Sequence, residues 1–215
     1  MKNLKNSAVK TFRQIPAAIV LSFSAICISF AQTSENELKI PPEVTPFVEN
    51  ETKAIALEKA DLNGDGTQDF ILVLEDLKNE SEDEKGKRSL LVLTRGADDK
   101  LTLAKRNDKG VVYCRTCGGI FGDPFDGVIA GTKTFSVELY GGSAWRWKMS
   151  YKFNYSRIDR TWQLDRVIEL SYHTSDPNKV KTRTHTPPRD FGKIDIADFD
   201  PQNYLKKAAK QKNKN

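Results

Sequence analysis

The stretch WRWKMSYKFNY, residues 145 to 155, constrains this chain more than any other. Trp145, Trp147, Met149, Tyr151, Phe153 and Tyr155 fall on one side of an extended strand; Arg146, Lys148, Ser150, Lys152 and Asn154 fall on the other. A strict period of two belongs to a pleated strand, whose successive side chains point to opposite faces. A helix would scatter the same aromatics around its circumference. The run RIDR then turns the chain, and TWQLDRVIELSYH answers with Trp162, Leu164, Ile168, Leu170 and Tyr172 as its apolar row. Arg166 interrupts that row and requires a partner or a sheet edge. The two runs predict a long antiparallel hairpin with one aromatic, core-facing side and one basic side.

The rest of the chain agrees. DFILVLE (69–75) and SLLVLT (89–94) are short unbroken apolar runs, as expected of strands buried on both faces. Between them, Asp76 to Arg88 is too charged for any core and reads as a solvated hairpin loop. LTLAKR (101–106) and TFSVELY (134–140) alternate as half-buried strands. No helical period long enough for a βαβ unit appears. The expected class is all-β with little helix: an antiparallel meander, sandwich-like or partly propeller-like.

The ends carry an address. Lys2, Lys5, Lys10 and Arg13 precede the apolar run AAIVLSFSAICISF, and Ser29 and Ala31 supply the small residues of a cleavage site. This reads as a secretory signal peptide over 1–31, too short to span a bilayer, with cleavage after Ala31. Cys27 raises a lipoprotein alternative, although Ser24 and Ile26 depart from a lipobox. Residues 32–52 read as a polar leader, 53–204 as a single β domain and 205–215 as a basic disordered tail. The net charge of +5 belongs to these ends. Without the signal and the five tail lysines the folded body is near −4. A nucleic-acid binder needs its positive charge on the folded face, so that class is set aside. The expected product is a periplasmic or secreted monomer, without a transmembrane segment after signal removal. Its partner is an unidentified protein or glycan.

KADLNGDGTQDFILVLE (59–75) holds the clearest chemistry. Asp61, Asn63 and Asp65 stand at positions one, three and five, Gly66 permits the bend, Thr67 offers a carbonyl, and Asp69 closes the set. Oxygen ligands at this spacing suit calcium, which takes six to eight of them. Leu72 stands where an EF-hand needs Glu, and the flanks read as strands. The alternative is an Asx-Gly turn with its charges in water. The pattern D-x-N-x-D-G-x-x-D resembles the FG-GAP or VCBS type of repeat, similar to the calcium loops of integrin alpha chains. More loosely, RNDKGVVYCRTCGGIFGDPFDG and YGGSAWRWKMSYKFNY resemble small exported bacterial proteins of the VCBS-repeat type without an assigned activity. The resemblance implies a structural calcium ion, but this chain has one such loop and no visible repeat. IDIADFD (194–200) lacks the glycine turn and reads as a surface turn.

Cys114 and Cys117 have three readings: structural disulfide, redox pair or half a zinc site. The following Gly118, Gly119, Gly122 and Pro124 oppose the helix a redox pair needs, and His173 and His185 lack ligand spacing. A disulfide is the expectation. Gly118–Gly119 and Gly141–Gly142 suggest two loops flanking one surface, with Phe121, Phe125 and Trp145 as candidate binding residues. No sequence motif of hydrolases is present. The expected function is an exported calcium-binding β-domain acting as a binding or envelope-associated module. The alternative is a secreted or periplasmic hydrolase using scattered carboxylates, for which Asp123, Asp126, Glu138 and His173 would have to converge.

Overall fold

The computed structural model describes residues 38–78 and 86–204. The stretch read as a signal peptide, Cys27, the first part of the expected leader, the middle of the charged insert and the basic tail lie outside them. Among the described residues, nine strands form two antiparallel sheets. The first sheet runs β1 (Thr52–Ala60), β2 (Asp69–Asp76), β3 (Arg88–Arg95), β4 (Leu101–Asn107). The second runs β5 (Phe125–Gly131), β6 (Thr134–Gly142), β7 (Trp145–Ser156), β8 (Thr161–His173), β9 (Asp176–His185). Each sheet is a meander of neighbouring hairpins, and the pair is sandwich-like. Among the described residues no barrel closes.

One core lies between the sheets. Ile71, Val73, Leu90 and Val92 face Val137, Leu139, Tyr151, Phe153, Trp162, Leu164 and Val167 across it. The opposite side chains of β2 and β3, Phe70, Leu72, Leu74, Leu91 and Leu93, form a second cluster with Val44. This is why DFILVLE is apolar without alternation: both faces are covered. The cover is residues that read as polar leader. Ile40, Val44, Phe47 and Val48 lie against the outer face of β2 and β3, shaped by a short 3-10 turn at Thr45–Phe47. The domain therefore begins before Lys53; spaced apolar residues among prolines and acids hid that role.

The hairpin of β7 and β8 forms, with one change of face. Lys152 pairs with Arg166, but Phe153 pairs with Leu164, so Asp165 is an extra residue in β8. A bulge of one residue moves every following side chain to the other face. Trp162 and Leu164 point inward, and beyond the bulge Val167, Glu169, Ser171 and His173 take the inner row. Ile168, Leu170 and Tyr172 are outer, contrary to the single apolar row expected. Arg166 then needs no buried partner, because it stands outside and exposed.

One further reading is corrected, and one unread stretch proves to be a strand. IDIADFD is not a surface turn: Ile196 and Phe199 are fully buried, and Asn107 Nδ2 donates to both of their carbonyls at 2.6 and 2.8 Å. The C-terminal Thr/Lys-rich stretch is a strand, β9, exposed along almost its whole length at the edge of the second sheet.

Candidate functional site

The acidic loop joins β1 to β2, with strands entering and leaving as expected. Asp61 Oδ1 accepts from Gly64 N at 2.7 Å and Asp65 N at 3.2 Å, and Oδ2 from Gly66 N at 3.1 Å. Asn63 Oδ1 accepts from Asp65 N at 2.9 Å. Asp65 Oδ1 accepts from the Thr67 amide and hydroxyl, and the hydroxyl chiefly holds its carboxyl below the ordinary range. Gly66 has φ of +90°, a conformation that a side chain would strain.

Asp69 does something else. It is fully buried; Oδ2 accepts from Leu62 N at 3.0 Å and Oδ1 from Arg95 N at 2.9 Å. Burial raises its pKa, against the pull of those two amides, and the charges of Asp65 and Asp61 add to the rise. Asp69 thus ties the loop to the end of β3. A cation also reaches the loop from afar: the Lys133 stem, from the β5–β6 turn, lies where a Cβ on Gly64 would stand. Lys133 forms no ion pair with Asp61, Asp65 or Asp69 among the described residues. As the loop stands, no three His, Cys, Asp or Glu side chains among the described residues gather as a metal site. The donor chemistry of Asp61, Asn63, Asp65 and the Thr67 carbonyl still suits calcium, being oxygen throughout.

Cys114 and Cys117 sit at bonding distance, S–S 1.97 Å. The glycine loops meet as expected: Gly142 N donates to Gly118 O at 2.9 Å, and Gly119 bridges Gly142. The three aromatic candidates, however, occupy three environments. Phe121 lies over the Arg146 guanidinium, 3.8 Å from its carbon, and 5.7 Å from the Tyr140 ring. The pleat sets Arg146 on the face opposite Trp145. Phe125 packs on the main core beneath Arg88. Trp145 stands at a groove.

That groove follows from strand length. The strands β7 and β8 have 12 and 13 residues, whereas those of the first sheet have 7 to 9. At about 3.3 Å per residue the second sheet outruns the first by roughly 10–15 Å. Burial along the inner row of β7 falls accordingly: Tyr151 and Phe153 are buried, Trp147 and Met149 half-buried, and Trp145 is 55% exposed. Trp147 lies flat on Gly141, whose missing Cβ would stand 2.5 Å from the indole, and tilts against Tyr113 at 6.0 Å. Beyond it the inner face opens into a groove of about 280 Å³ lined by Trp145, Trp147, Met149, Ser171, Lys181 and Arg183, with Glu169 at its floor.

Its electrostatics are uneven. Glu169 Oε1 faces the Tyr204 hydroxyl at 3.4 Å and His185 Nε2 at 3.6 Å. Lys181 Nζ stands 5.9 Å from the centre of the Trp145 ring. Among the described residues, neither Lys181 nor Arg183 forms an ion pair. Sequence reasoning missed both because it missed β9. The alternation of Lys179, Lys181 and Arg183 with Val180, Thr182 and Thr184 was the available signal.

The carboxylates named for a hydrolase do not share a cleft. Asp123 is held by Arg88, and that guanidinium keeps its carboxyl below the ordinary range although burial pushes it up. Asp126 and Glu138 approach Lys148 at 3.5 and 3.7 Å on the outer face. His173 is on the inner face, edge-on to Trp145 and bonded to Ser175. A larger cleft of about 550 Å³ lies over the disulfide and Arg88, but Arg88 is already occupied by Glu75 and Asp123. No helix among the described residues is long and apolar enough to cross a membrane. Comparison with known proteins gives no match to any family model, curated protein or solved structure.

Proposed function

We propose that this chain is an exported calcium-binding β-domain that works as a binding module, with the Trp145 end of the second sheet as its recognition surface. The observation that carries the reading is the groove itself. An exposed tryptophan stands beside two cations that form no ion pair among the described residues, on a sheet that overhangs its neighbour. Exposed aromatic surface beside convergent polar groups is the usual form of a recognition site. Scattered carboxylates support binding over hydrolysis. The test is capture from the envelope fraction, with the natural protein and Trp145→Ala as parallel baits. Components held by the first and lost by the second support the reading. Identical retained sets from two equally stable baits would defeat it.

Calcium belongs to the same proposal as a structural ion held by Asp61, Asn63, Asp65 and the Thr67 carbonyl. The crowding of acids without an ion-pair partner among the described residues supports it. At calcium about 100 times the dissociation constant, the ion should stabilise the fold by about 2.7 kcal/mol. Magnesium should do much less, because it demands a tighter octahedral shell. Asp65→Ala should abolish the calcium gain. Asp69→Ala should destabilise in every buffer, by about 1–3 kcal/mol, because it strands the Leu62 and Arg95 amides. Thermal melts in calcium, magnesium and chelator check this. Superimposed curves for the natural protein reject the ion and leave a charged turn.

A further inference from the structure

We infer that the Trp145 groove takes an acidic sugar, a uronate residue within a polysaccharide; the inference rests on the reading of this end as a recognition surface. Four features of the groove converge on that chemistry. First, the Trp145 indole is more than half exposed, with His173 edge-on to it and Lys181 Nζ 5.9 Å from its centre. The negative face of an indole suits the apolar, weakly positive C–H face of a pyranose ring. Second, Lys181 and Arg183 stand on the same face of the sheet and form no ion pair among the described residues. An arginine fork matches a carboxylate with two parallel hydrogen bonds. Third, Glu169 pairs across the strands with both Met149 and Arg183 and sits at the floor. Its Oε1 faces Tyr204 and His185, while its second oxygen makes no hydrogen bond among the described residues. That oxygen accepts from a ligand carrying hydroxyl donors and repels one bearing only anions. Fourth, the groove, about 280 Å³, has room for one ring rather than a large aglycone.

The same features argue against two other anionic partners. A single-stranded nucleic acid also stacks on tryptophan and follows basic residues, but a phosphodiester at the groove floor meets Glu169. An acidic peptide has its natural place along the free backbone edge of β9, where it adds a strand and leaves the Trp145 face untouched. Only a hydroxylated ring with a carboxylate uses the indole, the cations and the Glu169 oxygen together.

The experiment is titration calorimetry on the full chain with four probes: an oligogalacturonate hexamer, a neutral glucose hexamer, hexathymidylate and a hexaglutamate peptide. The oligogalacturonate is expected to bind best, and its affinity to fall with salt. Trp145→Ala should weaken it about tenfold, in line with the loss of a stacking face. The double variant Lys181→Ala/Arg183→Ala should weaken it by at least about tenfold and flatten the salt dependence. All three altered side chains are exposed, so both variants should keep the natural melting temperature. Retention of full affinity by either variant overturns the proposal. So does equal binding of the neutral hexamer, or no heat with oligogalacturonate up to about 10 mM. Tighter binding of hexathymidylate or hexaglutamate, lost in Trp145→Ala, overturns the sugar while leaving the recognition surface standing.

Discussion

Trp162→Ala is expected to lower stability by about 3–5 kcal/mol, the range for removing a buried aromatic side chain from a close-packed core. The indole is 2% exposed and lies against Tyr155. Its Nε1 donates to the Leu62 carbonyl at 2.8 Å, the one hydrogen bond a buried indole requires. Leu62 belongs to the acidic loop and is itself fully buried. The substitution therefore opens a cavity between the sheets and also removes one of the loop's ties to the second sheet, leaving the bond from Lys133 N to the Asp61 carbonyl at 2.9 Å. A drop in melting temperature of roughly 10 °C should follow. The measurement is a thermal or urea melt followed by far-ultraviolet circular dichroism. A fall of less than about 2 °C would mean that the two sheets do not depend on this contact. Trp145→Ala, on the same hairpin, supplies the contrast.

Arg88→Ala should cost a similar amount, about 3–5 kcal/mol, by a different mechanism. The Arg88 side chain is 1% exposed. It donates through Nε and Nη2 to Glu75 Oε2, through Nη1 and Nη2 to the two Asp123 oxygens, and through Nη1 to the Tyr113 carbonyl. Without it, the buried Glu75 keeps, among the described residues, only Arg115, at 3.4 Å, and the Cys114–Cys117 loop loses its anchor to β3. Replacing Glu75 and Arg88 together by apolar residues should recover much of the loss, since no uncompensated charge then remains. The pH dependence has a definite sign. Burial works against the Asp123 carboxylate, yet Arg88 holds its pKa below the unfolded value. Its contribution is then present above the ordinary carboxylate pKa and lost as pH falls through the depressed one. The natural protein should weaken below about pH 4, and Arg88→Ala should show a shallower acid slope. Equal slopes would remove Asp123 from the account.

The hairpin, the doubly buried β2 and β3 and the hairpin loop of acids were legible because each repeats a periodic or local rule. The failures share a cause. β9 is an edge strand exposed on both faces, so no alternation of apolar with polar residues marks it. Its alternation of β-branched residues with Lys and Arg is a weaker sign. The bulge at Asp165 was visible only as an arginine in the wrong row, and pairing, not propensity, decides how a chain resolves that conflict. Ile196 and Phe199 sit among aspartates, and the helix-capping Asp195 disguises a plug of the core as a surface turn. At the candidate site, Trp145 was singled out from the sequence. Lys181, Arg183 and Glu169 join it through cross-strand register, which a single strand does not encode.

The extra residue at Asp165 acts as a frameshift within one continuous sheet. On the near side, the inward frame reads Trp162 and Leu164, with Val167 just past the shift, and its product is cohesion between layers. On the far side, the same strand in the shifted frame reads Glu169, Ser171 and His173, and its product is a wettable, charged floor. Had the chain kept one frame, Ile168, Leu170 and Tyr172 would line the overhang and leave a greasy shelf, a surface that invites self-association. One residue thus lets a single hairpin serve as mortar at one end and as a solvated shelf at the other, and evolution can tune the two ends separately so long as that insertion holds its place.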